Sequence, residues 1–185
     1  MLAWLEVLAP LVLLALLVAV LVVWARRFGR AVAEARDVAL FRRMVAEEVA
    51  LLDLALGPVC TAVAALRRGE GEPAPVVQEL IGGRDAVEAI LGRLREARVP
   101  PGVAEWERLV GEIERVGRAM AMVEHGCTLL QSGRSRHLGE AQTAIARGYL
   151  NLIHARRAIG DCAAAIAEPR PPQVPWLRRS ADGRR

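Results

Sequence analysis

A chain of 185 residues is long enough for one membrane segment and one compact domain, and too short for two sizeable domains. Its apolar fraction of 54% comes mostly from Ala, Leu, Val and Ile, with only 4% aromatic residues, a balance that favours closely packed helices over a β-sandwich. The formal charge of +4 sits at the ends, since 17 arginines meet 18 acids between Ala31 and Ala167, and no basic stripe supports nucleic-acid binding.

The first element is an apolar run. No charged residue occurs from Val7 to Ala25, and at about 1.5 Å per residue that stretch nearly matches a ~30 Å hydrocarbon core. Trp4 and Trp24 stand one at each end, as an aromatic belt would place them. Residues 1–25 are therefore expected to be a single transmembrane helix that serves as an uncleaved signal-anchor. No basic residue precedes the run, as a cleaved signal peptide would require. Arg26, Arg27 and Arg30 complete the membrane-interface set, with membrane lipid as the partner, and place residues 26–168 on the cytoplasmic side of the cell membrane.

Four segments with helical periodicity follow. In the first, Val38, Phe41, Val45, Val49, Leu52, Leu56, Val59, Val63 and Leu66 recur at intervals of three or four. Gly57-Pro58 interrupts this seam without shifting its phase, which predicts a kinked helix rather than a turn. Arg67 to Pro75 reads as a loop. Val77, Leu80, Val87, Ile90 or Leu91, and Leu94 make a shorter helix, weakened at Gly82-Gly83 and ended by Pro100-Pro101-Gly102. Trp106, Leu109, Ile113, Val116, Met120, Val123, Cys127 and Leu130 form the most regular seam, with Gly133 as its C-terminal cap. The fourth seam runs Leu138, Gln142 or Ala141, Ile145, Tyr149, Leu152, Ile159, Cys162 or Ala163, and Ile166. Coiled-coil-like seams joined by short connections predict an all-α domain, a single N-terminal transmembrane helix followed by an antiparallel four-helix bundle. Residues 169–185, rich in proline and arginine, read as a disordered tail, in which Trp176, Leu177, Arg178 and Arg179 are a candidate docking motif.

Reaction chemistry has few footholds in this pattern. Cys60, Cys127 and Cys162 include no CxxC pair and fall on core stripes, where small buried hydrophobes are expected instead of a metal or redox site. Glu124, His125 and Cys127 are close in sequence, but neighbouring helical positions point apart, and no Glu-x-x-His pair suggests a di-iron bundle. Glu105, Glu107, Glu112 and Glu114 interleave with Arg108, Arg115 and Arg118 and read as a salt-bridged, solvated face. His137 followed by Arg147-Gly148-Tyr149-Leu150 resembles a stretch of sensor histidine kinase dimerisation helices, which implies a phosphoacceptor at His137. Leu138 and Gln142 stand where that family has an acidic residue and a proline.

These readings converge on a non-enzymatic membrane-anchored scaffold or accessory subunit, without metal or cofactor. It would contact an unidentified protein partner and has room to form a homo-oligomer. A signalling module with a degenerate phosphotransfer bundle is the alternative. The orientation is directly testable: a reporter fused after Arg185 is expected on the cytoplasmic side, and an external signal would reverse the assignment.

Overall fold

The computed structural model describes residues 2–101, 103 and 105–168, and among these it contains helices and no strand. The helices are α1 (Leu2–Arg68), α2 (Pro73–Glu96), α3 (Trp106–Gln131) and α4 (Leu138–Ala167), the last preceded by a 3₁₀ turn at Ser135–His137. Contacts divide the chain into two compact units, residues 1–41 and 42–185.

Within the first unit, α1 is long and apolar enough to cross a membrane. An 18-residue window in its described side chains reaches a mean hydropathy of 2.0. Leu16, Leu17, Val20, Leu21 and Val23 are all more than half exposed, as side chains facing lipid would be. Trp24 stacks on Phe28 one turn later, with ring centroids 5.4 Å apart. The side chains of Trp4 and Arg30 lie outside the described residues.

In the second unit α1 continues through Gly57-Pro58 without a break. Pro58 cannot donate to the Leu54 carbonyl, but this position faces outward, where water can replace the lost bond. The helix ends at Arg68 in a Schellman motif. Gly69 takes a φ of 76°, its N–H donates to the Leu66 carbonyl, and the Glu70 N–H donates to the Ala65 carbonyl, each at 3.0 Å. Arg67 and Arg68 complement the negative end of the helix dipole.

The connection expected over Arg67 to Pro75 is therefore only residues 69–72. Pro73 sits at the first helical position of α2, where its missing N–H costs nothing. α2 also ends earlier than expected, at Glu96. Val99 precedes Pro100 and is steered out of helical geometry, and Ala97 is already extended with a ψ of 135°. Gly133 closes α3 as expected, with a φ of 65° and an N–H bond to the Leu130 carbonyl at 3.2 Å.

Helix neighbours can be read pair by pair from named contacts. Glu48 of α1 meets Arg93 of α2, and farther along α1 a Cβ on Gly83 would meet Val59. Arg84 pairs with Glu124 and Arg95 with Glu114, so α2 and α3 run in opposite directions. Gly126 faces Ile145 while Gly148 faces Val123, which reverses α4 against α3. Arg156 reaches Asp53, and Arg42 donates to the Glu168 carbonyl at 3.2 Å, so α4 runs opposite to α1.

The core is aliphatic. Leu52, Leu56, Val59, Val63, Leu80, Leu94, Leu109, Ile113, Met120 and Leu152 are essentially inaccessible. Each such side chain contributes roughly 1.5–3 kcal/mol by leaving water. Several seam assignments shift. Glu48 is buried where Val49 was expected, because Arg93, itself exposed, pairs with the carboxylate from α2. Leu138 is exposed, Ala141 rather than Gln142 opens the α4 core stripe, and Leu130 is only half-buried near the end of α3. Gly148, not Tyr149, occupies the core position of α4.

That glycine is required sterically. A Cβ on Gly148 would lie 2.5 Å from Val123 Cγ2 and 2.9 Å from the Ala119 carbonyl oxygen. One on Gly126 would lie 2.9 Å from the Ala141 carbonyl oxygen. Side chains can move aside, but backbone carbonyls move only if the helices separate. Gly148→Ala should therefore cost about 1–3 kcal/mol through overpacking. Gly82→Ala meets open space and should gain about 0.5–1 kcal/mol from helix propensity. Thermal unfolding of the two full-chain variants should move in opposite directions. A neutral Gly148→Ala would contradict the close approach of α3 and α4.

Candidate functional site

The joint between α1 and α4 differs from that between α3 and α4. On α1 the facing positions include Ala46, Val49 and Ala50, and on α4 they include Gly160, Ala163, Ala164 and Ala167. Where small side chains face each other without the glycine-to-backbone contact of α3 and α4, a gap remains. It is a groove of about 400 Å³ with a floor of Leu52, Leu56 and Ile159.

At one end of the groove Arg156 Nε donates to Asp53 Oδ1 at 2.5 Å. The bond holds the Asp53 carboxyl below its ordinary value, and the same bond raises Arg156 in return. Beyond this pair lies a more polar concavity lined by Gly57, Cys60, Thr61, Ala64, Arg68, Tyr149 and Arg156. Its cations are already engaged: Arg68 with Glu70 and Arg156 with Asp53, while Arg67 lies 4.6 Å from the centre of the Tyr149 ring.

The three cysteines are free thiols buried in the core, as small hydrophobes are. Burial raises the Cys60 and Cys162 thiols, and it pushes Cys127 up to about 11, with Glu124 adding to the effect. Thiols shifted this way are poor nucleophiles near neutrality. Among the described residues no cluster of His, Cys, Asp and Glu has the geometry of a metal site.

His137 stands at the residue preceding α4. Its Nε2 accepts from Arg136 Nε at 3.1 Å, and its Nδ1 lies 3.6 Å from Glu140. Glu140 is also 3.8 Å from His125 Nε2, so the two histidines share a carboxylate at the α3–α4 turn. Both ring nitrogens of His137 thus face side chains of its own turn. Arg147 lines a shallow depression with His125 and Glu140, Gly148 is packed against α3, and Tyr149 lies under Arg67.

The acidic run on α3 resolves into ion pairs. Glu105 meets Arg108 at 3.6 Å, Glu112 meets Arg115 at 3.3 Å, and Glu114 meets both Arg118 and Arg95. In the interface set, Trp24 is 66% exposed and Arg26 and Arg27 are exposed. Trp176, Leu177, Arg178 and Arg179 lie outside the described residues.

Two features escaped sequence reasoning. The Glu48–Arg93 and Asp53–Arg156 pairs are 45 and 103 positions apart, so no local spacing announces them. The groove is built from alanines, which register as neither apolar ridge nor polar face. A clustering of Ala and Gly on one side of both helices was its only available signal.

No family model matches the chain, and neither a curated protein nor a solved structure does.

The Asp53–Arg156 pair carries a pH signature. A carboxyl whose pKa is lowered on folding stabilises the fold above the ordinary range, about pH 4, and loses that contribution as pH falls through the lowered value. Asp53→Asn should therefore reduce the drop in melting temperature between pH 7 and pH 3. An unchanged drop would mean that the pair contributes nothing to stability.

Proposed function

We propose that the chain is a membrane-anchored, non-enzymatic helical scaffold or accessory subunit, holding residues 42–168 as an antiparallel four-helix bundle at the cytoplasmic face of the cell membrane. The observation that carries this reading is the continuity of α1, which links a stretch of membrane-spanning length and hydropathy to the helical body in one element. The pairwise contacts of α1 with α2, α2 with α3, α3 with α4 and α4 with α1 support closure into a bundle. Arg26 and Arg27 on the C-terminal side of the span support the cytoplasmic placement.

Support for a binding role comes from how the charged side chains are used. Arg93, Arg84, Arg95 and Arg156 each cross to a carboxylate on a neighbouring helix, so these conspicuous acids fasten the body together. The α1–α4 groove remains as a surface concavity with apolar walls, the kind of feature on which helices dock.

The test combines anchoring with partner binding. Membranes holding the full chain should retain it through alkaline carbonate extraction, and mild detergent should release it bound to a protein, either a second copy of the chain or a different one. Ala163→Arg places a charge in the groove and should remove that protein while leaving carbonate resistance intact. Release of the parent chain by carbonate would overturn the anchor. Identical co-purification by parent and variant would remove the groove from function.

A further inference from the structure

Leu54 is the most exposed of the large apolar side chains described, at 75%, above Trp24 at 66%. It follows the groove-lining Asp53 on the outward side of α1, one turn after the groove-lining Ala50, and Leu51 one turn earlier is also exposed, at 52%. Ala50, at the edge of the groove, and Gly57 lie on α1 between the groove's centre and the leucine, four positions before Leu54 and three after it. A knob and a hole therefore lie side by side on one helix face.

That arrangement is self-complementary. When two parallel helices are related by a two-fold axis between them, a residue displaced to one side of the contact line faces the residues displaced to the other side on its partner. Leu54 and the groove occupy opposite sides of the Ala50–Gly57 line, so each copy can offer its leucine to the other's groove, as an isologous interface requires. The small residues on that line allow the two α1 helices to approach closely.

Electrostatics favour the same occupant. The charges on this face include two matched pairs, Arg43–Glu47 and Asp53–Arg156, and one arginine, Arg42, beside one acid, Glu168, so two identical faces carry no net repulsion. A strongly charged partner would find nothing to complement. Anchoring, on which this step rests, gives two copies the same polarity with respect to the membrane, the polarity that a parallel pairing of α1 needs.

We infer that the chain forms a parallel homodimer through the outward face of α1, with Leu54 of each copy seated in the α1–α4 groove of the other. Other exposed apolar residues fit this less well: Leu150 and Ile153 on α4 and Ile81 on α2 are 37–49% exposed, and Leu138, 51% exposed, lines a smaller depression of about 150 Å³ at the α3–α4 turn.

The experiment uses the full chain reconstituted in phosphatidylcholine vesicles, with flotation measured on every sample. Ala50→Cys, on the line where the two α1 helices would meet, is oxidised with copper phenanthroline beside the parent, whose three thiols are buried, and beside Glu88→Cys, an exposed position on α2. Ala50→Cys should yield at least ten times more disulfide-linked dimer than Glu88→Cys. In detergent, Leu54→Arg should lower the dimer fraction at least tenfold with unchanged helicity and melting temperature, and Leu150→Arg should leave it unaltered. Vesicles that float while Ala50→Cys links no better than Glu88→Cys, or a parent that is monomeric in detergent, would overturn the dimer and leave the anchor standing. The groove would then belong to a different protein's helix. Cross-linking at position 50 without flotation would support the α1 surface and overturn the anchor.

Discussion

The contact between α3 and α4 sets the geometry of the helical body. Gly148 lies so near the Ala119 carbonyl, and Gly126 so near the Ala141 carbonyl, that a single methyl group at either position would collide with backbone. Carbonyl oxygens cannot swing away as side chains do, so the interaxial distance of this pair is fixed by the absence of two Cβ atoms. Gly83, against Val59 and Met120, lets α2 approach α1 and α3 in the same way, though its neighbours there are movable side chains. With α3 and α4 drawn together, α1 meets α4 across alanines. The result is one tight joint and one open joint in the same set of helices.

Polarity follows the same economy. Arginine supplies every long cationic arm in this chain, and its planar fork suits carboxylates across a helix interface. Arg93 holds Glu48 through two bonds of 2.7 Å, which lets a carboxylate occupy a core position of α1 with 9% residual exposure. The exposed pairs contribute little individually, in the range of ~0–1 kcal/mol. Their greater effect is on register, because each interhelical pair is satisfied at only one alignment of its helices.

Function, on this reading, depends on what is left unsatisfied. The thiols are buried and poorly ionised, and the acidic run of α3 is paired. His137 is half-buried, with its ring nitrogens facing Arg136 and Glu140. Leu51 and Leu54 beside the α1–α4 groove are exposed apolar side chains on the one described helix that is long and apolar enough to cross a membrane. Under the proposed anchoring, a surface on this helix is the one most directly oriented by the membrane, and orientation removes much of the rotational freedom that association otherwise costs.

Local chemistry was legible in the residues themselves. Nineteen uncharged positions from Val7 to Ala25 mark a helix long and apolar enough to cross a membrane, because a charged side chain in hydrocarbon is costly. The unbroken three-four spacing of Leu109 to Cys127 marks α3, and Gly133 marks its end, because these depend on neighbours within one helix. Other features were decided only in three dimensions. Tyr149 was expected in the α4 seam because a large apolar ring gives a stronger periodic signal than the glycine beside it. The true core residue is Gly148, chosen by the proximity of Ala119 on another helix. Glu48 reads as a surface acid until Arg93 arrives from α2, and the groove exists only where alanines of α1 and α4 meet. Periodicity reports which side of a helix is buried. How close the neighbour comes, and which charge it brings, is decided by the packing of the helices together.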